Sequence, residues 1–281
     1  MDNRYIKKIV SLALAEDIGI KDITTNALVP KAHQSSAQII VKSNGIICGL
    51  AFARETFVQL SSKIHFEHFV KDGQKAKSGK IIARIHGPTR ALLTGERVAL
   101  NFLSYFSAIA TKTHAFVDAV KPHKAIILDT RKTTPLLRPL ERYAMRCGGG
   151  VNHRLNLSDM AMIKDNHRAF VSGRMNLIQA VETVRKKTKK LVELEVDTLN
   201  ELKEALKTTA DIILLDNMST LQIHQAVKMR DRAGSGILLE ASGGIDLKNV
   251  HRYAATGVER ISVGGLTHSR QSLDISLELC P

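Results

Sequence analysis

The sequence predicts an α/β chain in which a barrel-like domain of parallel strands follows a smaller N-terminal α+β domain. Three observations carry that prediction. Six short apolar runs, at residues 125–128, 160–163, 191–197, 212–217, 237–244 and 260–265, each stop at charged, amide or small residues. Runs of this kind fit strands buried on both faces. Helical patterns separate them: Ile178, Val181 and Val184 share one face over 177–187, and Leu199, Leu202, Ala205 and Leu206 share another over 199–207. The first third of the chain lacks this alternation. Alternation alone would equally permit an open doubly wound sheet, but in either architecture the polar strand ends share one rim.

Taken in order, residues 1–16 read as an amphipathic helix with Ile6, Ile9, Leu12 and Ala13 apolar. Asp22, Ile23 and Thr24 open a loop, and 37–42 and 46–50 resemble strands. HFEHF at 65–69 reads as strand or loop, so His65 and His68 are taken as surface or packing histidines. Residues 71–79 hold two turn signals, DG and SG, before a strand-like run at 80–86. A long helical pattern follows at 90–111, with Leu93, Val98, Leu100, Leu103, Phe106 and Ile109 apolar. It is expected to bridge two domains, 1–112 and 113–269, with the tail 270–281 packing back on the first.

A length of 281 residues is consistent with about two domains, and an apolar fraction of 44% is ample for a sizeable core. No run approaches the ~18 apolar residues that span a bilayer, and the N-terminus lacks a signal peptide's apolar core, so a soluble, intracellular protein is expected. Cys48, Cys147 and Cys280 form no close pair along the chain, which indicates neither a zinc site nor a disulfide framework. Cys147 reads as a small buried thiol. A net charge of +14 raises the question of nucleic acid. Against it stand an aromatic content of 4%, no tryptophan and no recognisable binding motif. The lysines of RKKTKK at 185–190 read as a solvated helix face.

The basic residues at strand ends are a different matter. Residues 128–167 gather nine basic or imidazole side chains among glycines and turn residues. Arg131, Lys132, Arg154 and Lys164 would converge on one rim, and converging like charges destabilise unless an anion offsets them. A strongly anionic small-molecule substrate is the reading that follows. Glu195 and Asp216 project carboxylates toward the same rim; beside phosphate-binding lysines they point to Mg²⁺, bound directly or through water, although pairing with Arg and Lys would also account for them. Ser242, Gly243 and Gly244 follow one strand, and Gly264 and Gly265 follow the next. Glycines at the last strand ends of a barrel let backbone N–H groups approach a phosphate closely.

DTRKTTP at 129–135, RCGGGVNHR at 146–154, LSDMAMIKDNH at 157–167, LLDNMS at 214–219, EASGGI at 240–245 and ISVGGLTHS at 261–269 resemble the quinolinate phosphoribosyltransferases, the nicotinate-nucleotide pyrophosphorylases of NAD biosynthesis. EDIGIKDITT from Glu16 and GERVALNFLS from Gly95 extend the resemblance over nearly the whole chain. It implies an N-terminal sandwich-like α+β domain, an incomplete six-stranded α/β barrel, and a cytoplasmic dimer or dimer-based assembly. It implies a pentosyltransferase that converts quinolinate and phosphoribosyl pyrophosphate to nicotinate mononucleotide, pyrophosphate and CO₂ with Mg²⁺. Carried over, Arg131, His153, Arg154 and Lys164 would hold the quinolinate carboxylates, with Arg97 reaching in from the neighbouring subunit; a structural hydrogen bond would equally account for His153. Lys132 and Lys164 would meet the pyrophosphate. Glu195 and Asp216 would meet ribose hydroxyls or the Mg²⁺ shell, and Ser242, Gly243, Gly244, Gly264 and Gly265 the 5′-phosphate. Without the resemblance, Arg97 reads as a solvated residue of the long helix.

Lys21, Leu136, Ser104, Ala108 and Gly265 depart from the family's usual residues, and Leu136 and Ala108 demand backbone angles compatible with a Cβ. None removes a predicted charge. A paralogue of the same fold linked to molybdate uptake and acting on another anionic acceptor is the alternative; the set Arg131, His153, Arg154 and Lys164 argues against it.

Overall fold

The computed structural model describes residues 3–268 and 271–280. Met1, Asp2, the expected boundary at 269–270 and the last residue of the tail lie outside the described residues. In chain order the elements are α1 (Asn3–Ile18), α2 (Ile23–Leu28), β1 (Gln34–Val41), β2 (Gly45–Ile46), α3 (Leu50–Leu60), β3 (His65–His68), β4 (Lys75–Ala76), β5 (Ile81–Pro88), α4 (Thr89–Ala119), β6 (Ile126–Leu128), α5 (Arg138–Cys147) and β7 (Ala161–Ile163). There follow α6 (Asp165–Val171), α7 (Leu177–Lys187), β8 (Val192–Val196), α8 (Leu199–Ala205), β9 (Ile212–Asp216), α9 (Thr220–Arg232), β10 (Leu238–Ser242), α10 (Val250–Ala254), β11 (Arg260–Ser262), α11 (Gly265–His268) and β12 (Ile275–Cys280). Among the described residues, 3–114, 140–149 and 271–280 form one compact unit, and 115–139 with 150–268 form a second.

The first unit is built on an antiparallel sheet in the order β12-β1-β5-β3. Ala37, Ile39 and Val41 alternate along β1 into a core shared with Leu50, Phe57, Leu92 and Leu103. Two local expectations need correction. The buried face of α1 is Ile6, Val10 and Leu14, spaced four residues apart, whereas Leu12 is exposed. The apolar run at 46–50 is not one strand: Gly49 takes a left-handed φ of 108° and α3 begins at Leu50, its first amides held by the Asp72 carboxylate.

The second unit holds a parallel sheet in the order β6-β11-β10-β9-β8-β7. Its first strand pairs with its last, a closure that a doubly wound sheet does not make. The ladder is open between β6 and β7, where Val151 makes a single parallel bridge to Leu128. This is the expected incomplete six-stranded α/β barrel. Every residue of β8 is buried, and strand alternation puts Glu193 and Glu195 on the face opposite Val192, Leu194 and Val196. No helix among the described residues is long and apolar enough to cross a membrane.

Candidate active site

The C-terminal ends of the barrel strands carry the polar groups. After β6, the buried Asp129 carboxylate accepts from Asn152 Nδ2 at 2.7 Å and from the His153 amide at 2.6 Å, fixing the chain that leads to Arg154. The loop beyond is held from two sides. Arg138 donates to Thr133 Oγ1 at 3.0 Å, and Thr267 Oγ1 donates to the Lys132 carbonyl at 2.5 Å. Arg131 and Lys132 themselves are exposed. Arg154 is buried, donating to the Met160 carbonyl at 3.1 Å. Burial, and then the neighbouring Arg131 charge, lowers its pKa. An anion bound beside these guanidinium groups would offset their like charge.

After β7, Lys164 Nζ donates to Glu195 Oε2 at 2.9 Å, and the Asp165 amide reaches the other oxygen at 3.3 Å. Glu195, Asp197 and Asp216 place carboxylate oxygens within 4.8 Å of one another. Burial, followed by the Glu195 charge, raises the Asp216 pKa. An all-oxygen set of this kind fits a hard divalent cation. Asp197, which also pairs with Arg168, was not anticipated from the sequence.

Below this rim lies a layer that sequence reasoning passed over. His153 Nε2 lies 3.1 Å from Glu193 Oε2 and 3.4 Å from Glu240 Oε1, and Arg260 Nε donates to Glu240 at 2.8 Å. Both carboxylates are wholly buried. Burial alone would lower the His153 pKa, but the two glutamates outweigh it and push it up to about 9. Nδ1 accepts from the Arg154 amide at 2.8 Å, so the second proton is gained only by giving up that bond. Both ring nitrogens are therefore engaged, and His153 supports the rim from beneath. The signal was legible: a Glu inside each of two apolar runs, LVELEVD and ILLEASGG.

At the end of β10, Gly243 and Gly244 take φ of 93° and 62°. A Cβ on Gly243 would lie 2.1 Å from Asn217 Oδ1, so the turn requires glycine. Asn217, itself at φ 53°, donates its amide to the Ser242 carbonyl at 2.9 Å and ties β9 to this turn. Gly264 and Gly265 lie at the end of β11, Gly265 opening α11. The second unit thus brings together Arg131, Lys132, His153, Arg154, Lys164, Glu195, Asp216, Ser242, Gly243, Gly244, Gly264 and Gly265 on consecutive strand ends. Arg97 lies exposed on α4 in the first unit.

A parallel barrel with cations, a carboxylate cluster and glycine turns on one rim defines an enzyme of the anion-handling α/β-barrel class. Its particular kind is given by its relatives. Residues 22–107 match the model of the quinolinate phosphoribosyl transferase N-terminal domain, and 109–278 that of the C-terminal domain. The chain belongs to this family. It is 43% identical to the nicotinate-nucleotide pyrophosphorylase [carboxylating] of Mycobacterium leprae, over 95% of this chain and 94% of that one. It is 40% identical to the probable nicotinate-nucleotide pyrophosphorylase [carboxylating] of Bacillus subtilis, over 99% and 95%. The nicotinate-nucleotide pyrophosphorylase structure from Francisella tularensis superposes with a TM-score of 0.93 at 37% identity, covering 100% of this chain and 98% of that one.

Proposed function

We propose that the protein is a decarboxylating quinolinate phosphoribosyltransferase, transferring the phosphoribosyl group of phosphoribosyl pyrophosphate to the quinolinate nitrogen. The observation that carries the reading is the pairing of Lys164 with Glu195 beside the Asp197 and Asp216 oxygens, with Arg131 and Arg154 on the loops after β6 of the same barrel, within a chain of this family. Arg131, Arg154 and Lys164 clamp the two ring carboxylates, guanidinium forks suiting planar carboxylates. His153 positions Arg154, its Nδ1 accepting from the Arg154 amide. Lys132 meets the pyrophosphate, and Ser242, Gly243, Gly244, Gly264 and Gly265 cradle the 5′-phosphate through backbone N–H groups. Glu195 and Asp216, with Asp197, hold Mg²⁺ or orient ribose hydroxyls; when bound, the ion neutralises the charge of the departing pyrophosphate.

The chemistry asks for positioning and electrostatics more than for acid–base groups. Loss of pyrophosphate leaves an oxocarbenium-like ribose centre, Lys132 meeting the leaving charge. The pyridine nitrogen attacks that centre, held in line by the carboxylate clamp. The quaternised nitrogen then stabilises the carbanion left at C2 as CO₂ departs, with Lys164 near enough to supply charge or a proton. The active unit is a homodimer or an assembly of dimers, with Arg97 given across the interface.

The test is a split in steady-state constants. Arg131→Ala raises KM for quinolinate by at least about 10-fold while KM for phosphoribosyl pyrophosphate stays within about 2-fold, and Lys132→Ala does the reverse or lowers kcat. Equal effects of both variants on both substrates would overturn the assignment of roles.

A further inference from the structure

The first unit holds a thiol pair that phosphoribosyl transfer does not use. Cys48 follows β2 and is fully buried; its amide donates to Ser107 Oγ at 2.9 Å, and the Ser107 hydroxyl donates back to its carbonyl at 3.1 Å. Cys147, half-buried, is the last residue of α5. The two sulfurs and an oxygen of Asp72 lie within 4.8 Å of one another. Asp72 is already engaged: one oxygen accepts from the Gly49 amide at 3.1 Å and from Tyr143 OH at 2.9 Å, the other from the Leu50 amide at 3.2 Å. With its carboxylate so committed, the cluster is better suited to thiol chemistry than to a cation.

The surroundings differentiate the two thiols. The neighbouring Cys48 thiol lowers the Cys147 pKa, while burial raises that of Cys48 well above the ordinary thiol value. Cys147 is partly exposed and Cys48 is buried. Gly73 packs against both backbones: its amide donates to the Ile47 carbonyl at 2.8 Å, and a Cβ on it would lie 3.3 Å from the Cys147 carbonyl.

We propose that Cys48 and Cys147 form a reversible intramolecular disulfide when the protein meets a hydroperoxide, Cys147 attacking and Cys48 resolving. The Cys147 thiolate attacks the terminal peroxide oxygen; the S–O bond forms and the O–O bond breaks. With hydrogen peroxide the leaving hydroxide takes a proton and departs as water. The Cys48 sulfur then attacks the sulfenic sulfur, forming the S–S bond and breaking S–O, and its proton leaves with the hydroxide as a second water. Two electrons pass from two thiols to one peroxide, and a dithiol reductant reverses the change.

The experiment treats the full-length protein with hydrogen peroxide, blocks remaining thiols with iodoacetamide, and reads intact mass and peptide maps. The expected result is a monomer lighter by two hydrogen masses before blocking, a Cys48–Cys147 cross-linked peptide, Cys280 alkylated, and full reversal by dithiothreitol. In Cys48→Ala the cross-link is lost and dimedone labels Cys147. Oxidation that falls first on Cys280, a disulfide between chains, or an over-oxidised Cys147 without the cross-link would overturn the proposal. The wild-type map stands whether or not the variant folds.

Discussion

Leu136 sits at φ 67° and is 85% exposed, a conformation that a Cβ makes costly. Leu136→Gly is expected to stabilise the fold by about 0.5–1 kcal/mol, the relief of strain exceeding the added freedom of the unfolded chain. A lower midpoint in denaturant melts would contradict this. His153 makes a second prediction with a definite sign. Its pKa rises from 6.5 to about 9 on folding, so its stabilisation is complete below pH 6.5 and disappears as pH climbs through about 9. Urea midpoints between pH 6 and 10 should fall in the wild type and lose much of that slope in His153→Gln; identical slopes would remove His153 as the titrating group.

At the scale of elements, the barrel strands were legible because burial on both faces demands apolar runs, and their ends were legible because the chemistry needs charge there. Residues 212–217 and 191–197 correspond closely to β9 and β8. What stayed hidden has physical reasons. α5 was obscured because Arg138, Arg142 and Arg146 interrupt its buried set of Leu140, Ala144 and Met145. The proximity of Cys48 and Cys147 arises from the packing of one unit and leaves no trace in spacing. Asp197 was missed because it stands one residue past β8, where an exposed turn residue is the ordinary reading. The junction of β7 and β8 gives a further prediction. Lys164→Ala leaves the buried Glu195 carboxylate without its cation and should cost about 1–3 kcal/mol of stability besides its effect on turnover. Chemical denaturation decides it, an unchanged midpoint contradicting the pairing.

At the scale of the whole molecule, the charge of +14 divides into two populations. Some of it is structural or solvated: Arg185 clamps Asp211 and the Thr209 carbonyl, and Lys186 and Lys187 are exposed at the end of α7. Another part lies at the barrel rim, where Arg131, Lys132, Arg154 and Lys164 follow strands β6 and β7 or lie on the segment between them. Fold, family and rim chemistry all point to quinolinate as the acceptor, and the carboxylate lost from C2 is what separates it from nicotinate. The decisive measurement supplies quinolinate labelled in its C2 carboxylate, with phosphoribosyl pyrophosphate and Mg²⁺, and counts labelled CO₂ against nicotinate mononucleotide. The account predicts one CO₂ per mononucleotide, with nicotinate failing as acceptor and Arg131→Ala losing most of the product. Mononucleotide formed equally well from nicotinate, or no labelled CO₂ from folded protein, would contradict it.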